Sequence, residues 1–212
     1  MPRGPAMAKE IEIKYAVEDL AVVKRKLRAA GATHLGTVEQ SDAYFDTPDR
    51  RLLAADSGLR LRTTRILRRG AEKIEGGALL TFKGPARRGG RAKVRTEQQS
   101  HVGAPAVVAE ILAACGLGEM VTIVKRRCSW RLGRCRVELD RLPILGCFVE
   151  IEGPSAKAIY SAAGRLGLRG EPIKTHYVRL LKDCCRHIGQ TCRVVRMDRC
   201  DISCRRPGRR GE

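Results

Sequence analysis

The 212-residue chain has room for one sizeable core, since dividing it would leave two small ones. Its formal net charge of +19, from 42 Lys and Arg against 23 Asp and Glu, favours polyanionic partners of any kind: nucleic acid, phosphorylated metabolites, polyphosphate or an anionic surface. No apolar run is long enough to span a membrane, and Ile11 and Ile13 stand between charges instead of forming the core of an export signal, so a cytoplasmic chain with no membrane partner is expected.

Residues 1–8 read as an unstructured lead-in. From Lys9 to Tyr15, Ile11, Ile13 and Tyr15 alternate with Glu10, Glu12 and Lys14, the period of a strand with one apolar face. Asp19 suits the N-cap of a helix whose stripe is Leu20, Val23, Leu27 and Ala30, and Gly31 ends it. Strands are predicted over His34–Phe45, Gly58–Ile66, Ala78–Gly84 and Ala92–Gln98, with a turn at Thr47–Asp49 and a basic loop at Arg87–Gly90. A second helix is predicted from Pro105, at a first helical position, to Cys115, with Gly116 as its stop. Three strands follow, Met120–Trp130, Cys135–Arg141 and Cys147–Glu152, then helices from Ser155 to Leu166 and over Thr175–Lys182. Strands without a βαβ rhythm predict an α+β protein built on antiparallel sheet, open or closed as a barrel.

The folded domain is predicted to occupy residues 9–183, so that a chain ending at Asp183 keeps its fold. The tail 184–212 carries eight Arg against three acids and no periodicity, and it reads as a disordered segment able to contact nucleic acid or polyphosphate. Five of the nine cysteines lie there, and the odd count favours free thiols. Cys192, Cys200 and Cys204 with His187 match structural zinc spacing only weakly.

The unusual feature is where the charges sit within the strands. Glu10 and Glu12, Glu138 and Asp140, and Glu150 and Glu152 are acidic pairs two residues apart, and Arg60 and Arg62, Lys93 and Arg95, and Lys125 and Arg127 are basic pairs with the same spacing. Each pair shares a strand face, and the intervening residues are largely apolar. A solvated sheet face under no functional demand mixes signs; same-sign pairs repel. A divalent cation turns the acidic repulsion into binding, because Mg2+ and Mn2+ take carboxylate oxygens and complete their shells with water. Arg and Lys pairs match phosphate oxygens, Arg bidentately. Metal and phosphate together point to phosphoryl or nucleotidyl chemistry. Neither a Walker A sequence nor a Gly-rich dinucleotide fingerprint is present. Of the histidines only His176 lies beside other candidates as a substrate contact, and Trp130 and Tyr44 read as core residues.

These residues also resemble a family. Glu10-Ile11-Glu12-Ile13-Lys14 is similar to the ExExK signature of CYTH domains, which comprise class IV adenylate cyclases and thiamine triphosphatases and belong to the triphosphate tunnel metalloenzymes. The blocks that follow in order are Gln40–Pro48, Leu59-Arg60-Leu61-Arg62, Thr81-Phe82-Lys83-Gly84-Pro85, Arg95-Thr96-Glu97, Lys125-Arg126-Arg127, Asp140 and Leu145–Glu152, so the resemblance spans roughly residues 9 to 182. It implies an eight-stranded antiparallel barrel, a triphosphate tunnel, flanked by helices. By the same resemblance Glu10, Glu12, Glu150 and Glu152 approach Mg2+ or Mn2+ with Glu138 and Asp140 assisting, and these first four with Lys14 form the catalytic set. Arg60, Arg62, Lys83, Arg95, Lys125 and Arg127 line the triphosphate path, and Lys174 matches a basic residue near the end of such domains. Ser57-Gly58 depart from the acidic and small residues that cyclase-like relatives often show before Leu59.

The expected substrate is a small-molecule triphosphate: ATP, tripolyphosphate or thiamine triphosphate. A cyclase, giving cyclic AMP and pyrophosphate, is the reading the motif blocks favour; an inorganic or thiamine triphosphatase is its alternative, because the same grip serves both reactions. A non-catalytic polyanion-binding module is the third reading, opposed by the acidic pairs, which repel a nucleic-acid backbone. Either a monomer or a homodimer is compatible with the sequence.

Overall fold

The computed structural model describes residues 8–71, 76–85, 93–187 and 194–195. In chain order the elements are β1 (Ala8–Val17), α1 (Leu20–Ala29), β2 (Thr33–Asp46), α2 (Arg51–Ala54), β3 (Gly58–Arg69), β4 (Gly77–Lys83), β5 (Lys93–Val102), α3 (Pro105–Ala114), β6 (Gly118–Leu132), β7 (Cys135–Leu142), β8 (Gly146–Glu152), α4 (Ala156–Arg165), α5 (Tyr177–His187) and β9 (Val194–Val195). Eight antiparallel strands are hydrogen-bonded in the order β2-β3-β4-β5-β1-β8-β7-β6, and β6 pairs back onto β2 from Thr33↔Arg131 to Asp46↔Gly118. That last pairing closes the expected barrel, so that each of the eight strands has a partner on both sides over part of its length.

Local chemistry sets the helices. Asp19 accepts from the Ala21 N–H at 2.7 Å to start α1, and Ser155 accepts from Ala158 at 3.2 Å to start α4. Gly31, at φ 70°, turns the chain out of α1 in a conformation open to glycine. The four-residue α2 carries no apolar stripe to announce it. It is pinned by the buried Asp46, whose carboxylate accepts from the N–H groups of Leu52 at 2.9 Å and Leu53 at 3.0 Å.

Two apolar clusters lie outside the barrel. Val137, Val149 and Ile151 pack beneath Leu27 of α1 and Ile159 of α4, and Phe45 and Leu61 pack beneath α3. Each such fully buried side chain contributes about 1.5–3 kcal/mol. The third cluster joins Val121, Ile123, Leu142 and Phe148 to Tyr177, Leu181 and Cys185 of α5. Val121 and Ile123 share the strand face of Lys125 and Arg127, Leu142 that of Asp140, and Phe148 that of Glu150. The inward faces therefore change from charged to apolar along each strand, and α5 docks on the apolar stretch.

The chain departs from expectation at its C-terminal end. The helix expected over Thr175–Lys182 begins at Tyr177 and continues to His187, with Cys185 buried, so the boundary at Asp183 falls inside α5. Val194–Val195 then pairs in parallel with Thr122–Ile123 of β6, in a tail expected to carry no order. Cys192, Cys200, Cys204, residues 1–7 of the expected lead-in 1–8 and the Arg87–Gly90 loop lie outside the described residues, while Ala8 already belongs to β1. Among the described residues no helix is long and apolar enough to cross a membrane.

Candidate active site

The inward faces of the barrel enclose a cavity of about 400 Å³. Lys14, Arg60, Arg62, Lys83, Arg95, Lys125 and Arg127, all expected from the sequence, line it together with Glu12, Glu138, Glu150 and Glu152. Strand alternation explains the gathering, because residues two apart on adjacent antiparallel strands share one surface.

Buried carboxylates hold the cations in place. Asp42 takes a two-pronged contact from Arg62, Nε at 2.6 Å and Nη2 at 2.8 Å, with Arg60 at 3.8 Å. Burial alone would raise its pKa; Arg62 and Arg60 overcome that and hold it well below the usual carboxylate range. Asp140 is fully buried and accepts from Lys125 Nζ at 2.8 Å, Arg127 Nε at 2.6 Å and the Tyr177 hydroxyl at 3.2 Å. Its pKa is likewise lowered: burial pushes up, and Arg127 and Lys125 pull down further. With its oxygens accepting from three donors, Asp140 orients Lys125 and Arg127 on the cavity wall. Glu150 bridges Lys14 at 3.2 Å and Arg127. Lys125 itself is pushed down to about 8, first by burial and then by the neighbouring Arg127.

Some polar atoms in this cavity lack partners. Among the described residues, Nε of Arg95, a side chain only 2% exposed, is buried with no acceptor, as is Nε of Arg60, and Oε1 of Gln40 has no donor. An unmade hydrogen bond on a buried group costs about 1–3 kcal/mol, so the two guanidinium donors favour an incoming anion. The other end of Arg95 holds the loop before β3, through Asp56 Oδ2 at 3.1 Å and Asp56 O at 3.2 Å. Asp56, at φ 51°, also faces His176 Nε2 at 3.6 Å, which brings His176 to the cavity wall.

The acidic end differs in kind. Glu12 lies directly opposite Glu152 across β1 and β8. The Glu152 carboxyl is shifted up, first by burial and then by the Glu12 charge, with Glu97 and Glu138 adding to it. Glu138 accepts from Ser129 Oγ and Arg136 Nε, each at 2.6 Å. Among the described residues no three carboxylate, imidazole or thiol groups already form a metal cage. Two facing carboxylates nevertheless fit Mg2+ or Mn2+, since Mg2+ is commonly held by one or two carboxylates, water and substrate phosphates. The raised pKa of Glu152 marks the charge that such a cation offsets.

Two expected residues fall elsewhere. The backbone of Glu10 lies in β1 opposite Arg95, while its side chain lies outside the described residues. Lys174 is exposed between α4 and α5 and is not among the cavity-lining residues. The sequence reading missed Asp42, Gln40, Asp56 and Tyr177. Asp42 and Gln40 lie in the Gln40–Pro48 block of the resemblance, which was the signal available for them. Tyr44, expected in the core, packs against the Val121–Phe148 cluster and also lines the cavity, and Trp130 is buried against His34 as expected.

The closed antiparallel barrel thus carries clustered cationic and acidic side chains on one cavity, and sequence comparison places it. The CYTH domain family model matches residues 8–158, and the chain belongs to the CYTH family. Members of this family are metal-dependent enzymes that process triphosphates. Adenylate cyclase CyaB of Aeromonas hydrophila is 26% identical over 182 residues, 81% of this chain and 87% of that protein. Among solved structures, protein PH1012 of Pyrococcus horikoshii OT3 is similar at 28% identity and a TM-score of 0.67, covering 81% of this chain and 98% of its own. A Hippeastrum protein described as an adenylyl cyclase with a dominant triphosphatase activity shares the fold, at 16% identity and a TM-score of 0.62 over 86% of this chain and 97% of its own.

Proposed function

We propose that this chain is a metal-dependent enzyme of the class IV adenylate cyclase kind, converting ATP to cyclic AMP and pyrophosphate. The observation that carries the reading is the eight Lys and Arg side chains, Arg136 among them, on one cavity that also has an apolar lining of Tyr44, Met120 and Val178. The cations suit a chain of phosphates and the apolar lining suits an organic group attached to it. The similarity to adenylate cyclase CyaB supports the same reading.

Glu12 and Glu152, with Glu10 and Glu150 as further candidates, would hold Mg2+ or Mn2+, which supplies polarisation of phosphoryl oxygens and offsets their charge. Arg60, Arg62, Arg95, Lys125 and Arg127 hold the phosphate chain in a fixed line, and Lys14 and Lys83 add charge along it. In the cyclase reaction the 3′-oxygen bonds to the α-phosphorus as the bond to the bridging oxygen breaks. The electron pair leaves with pyrophosphate and the 3′-hydroxyl proton is released. Charge accumulating on the departing oxygens meets guanidinium groups already oriented by Asp42 and Asp140, so little reorganisation is needed.

Hydrolysis of inorganic or thiamine triphosphate is the second reading, favoured by the concentration of charged contacts on phosphate. Products separate the two. Incubation with ATP, tripolyphosphate and thiamine triphosphate, each with Mg2+ or Mn2+, is expected to give cyclic AMP and pyrophosphate from ATP. Orthophosphate from all three, without cyclic AMP, assigns a triphosphatase; no product from any assigns a binding module.

A pH dependence follows from Lys125. In the free protein its ammonium discharges as pH rises through about 8, so the affinity for tripolyphosphate is expected to fall several-fold between pH 7 and 9, roughly one unit either side of that value. Calorimetric titration of wild type and Lys125→Arg checks this, the Arg variant holding its charge throughout. The same slope in both contradicts the assignment.

A further inference from the structure

Nothing in the sequence pattern singles out Tyr177, yet it joins most of the charged groups at the α5 end of the cavity. Its hydroxyl donates to Asp140 Oδ2 at 3.2 Å, and its ring centroid lies 3.8 Å from Lys14 Nζ and 5.2 Å from Lys125 Nζ. Phe148 fixes the ring from the side, edge-on, with centroids 5.1 Å apart. Burial, with Glu150 and Asp140 nearby, pushes the phenol pKa well up, so the hydroxyl stays a donor.

The segment before α5 grips the same lysine. The Lys14 carbonyl accepts from Ile173 N–H at 2.7 Å, and Lys14 Nζ donates to Thr175 O at 3.4 Å and meets Glu150 Oε1 at 3.2 Å. Contacts thus run in a circuit from Lys14 to Tyr177, Asp140, Arg127, Glu150 and back to Lys14.

An aromatic face and a carboxylate restrain an ammonium differently. A carboxylate cancels its charge and competes with phosphate, whereas a ring face attracts the cation through its quadrupole and leaves the full charge for a ligand. Lys14 is a flexible four-carbon stem, so such a restraint also limits the ordering its binding role demands. We infer that Tyr177 is a positioning residue of the triphosphate site: its ring holds Lys14 Nζ in place beside Glu150 without adding a second negative charge to compete with phosphate. The inference rests on the triphosphate reading above.

The test is tripolyphosphate binding by calorimetry, with thermal unfolding measured alongside, for wild type, Tyr177→Phe and Tyr177→Leu. Tyr177→Phe keeps the ring face and is expected to stay within about threefold of wild type, while Tyr177→Leu weakens binding roughly tenfold or more. On a Lys14→Met background the ring has no ammonium to present, and Tyr177→Leu is expected to cost no further affinity. Tyr177→Met provides the same comparison with an adaptable side chain should the Leu variant fail to fold. Unchanged affinity in the Leu or Met variant overturns the inference and leaves the tunnel reading standing. Equal losses on both Lys14 backgrounds also overturn it, since they show a role in docking α5 alone. Failure of the wild-type chain to bind tripolyphosphate overturns both readings.

Discussion

Replacing Glu12 and Glu152 together by Gln is expected to lower metal-dependent turnover by about a hundredfold or more while leaving the fold as stable as before, or more so. The two carboxylates face one another across β1 and β8, and like charges directly opposite each other destabilise a sheet. Catalysis and stability therefore pull in opposite directions at this pair. The pKa of Glu152 is raised in the folded chain, so the folded state holds that proton more firmly than the unfolded one. Its contribution is favourable at a pH below the ordinary carboxylate value and is lost as pH rises through the folded value. Metal-free wild type should accordingly lose stability across that window, and Glu12→Gln/Glu152→Gln should show a flatter profile. Thermal unfolding against pH, with and without Mn2+, measures both effects; a double variant that melts well below wild type, or turns over as fast with metal, contradicts the assignment.

Asp140→Asn should have the opposite balance, destabilising the fold severely. Removing one partner of a buried ion pair typically costs about 3–5 kcal/mol, because the remaining charge stays buried. Here Lys125 and Arg127 both lean on Asp140, although Glu150 still reaches Arg127. Tripolyphosphate is expected to recover much of the loss, since a bound polyanion compensates the same cations and stabilises whichever state binds it. Asp140 and Asp42 have lowered folded pKa values, so their stabilisation is present above the unfolded carboxylate value and disappears as pH falls through the folded one. The part of the acid limb due to Asp140 should thus be missing from Asp140→Asn, and its stability should converge on that of wild type as pH falls through the folded value. A variant melting within a degree or two of wild type, with or without tripolyphosphate, would show that the cations are balanced elsewhere.

The strands and their charged faces were legible because a period of two survives in almost any context. Glu10-Ile11-Glu12-Ile13-Lys14 announces both a strand and which side carries charge. The same rule could not orient β6, where Met120 to Val124 are apolar on both faces except for Thr122, so the apolar end of the interior and the seat of α5 were hidden. Residue type alone does not say whether a carboxylate meets a metal or a guanidinium; Asp140 and Glu138 had to be seen with their partners. Cys184 to His187 offers no stripe that extends a helix, and only packing shows Cys185 to be buried. Asp42 and Tyr177 act through their neighbours, which chain order does not reveal.

The hydrogen bonds that close the barrel have a kinetic meaning as well. β2 and β6 are separated by about seventy residues, so their pairing is the kind of long-range contact whose loop-closure entropy slows folding. The same step brings Arg62 on β3, held to β2 through Asp42, towards Lys125 and Arg127 on β6, gathering like charges whose side chains are buried. Assembly therefore has to overcome entropy and cationic repulsion at the same moment. A polyanion present in the surrounding solution lowers the second of these barriers, which makes the ligand of the finished tunnel an aid to its construction.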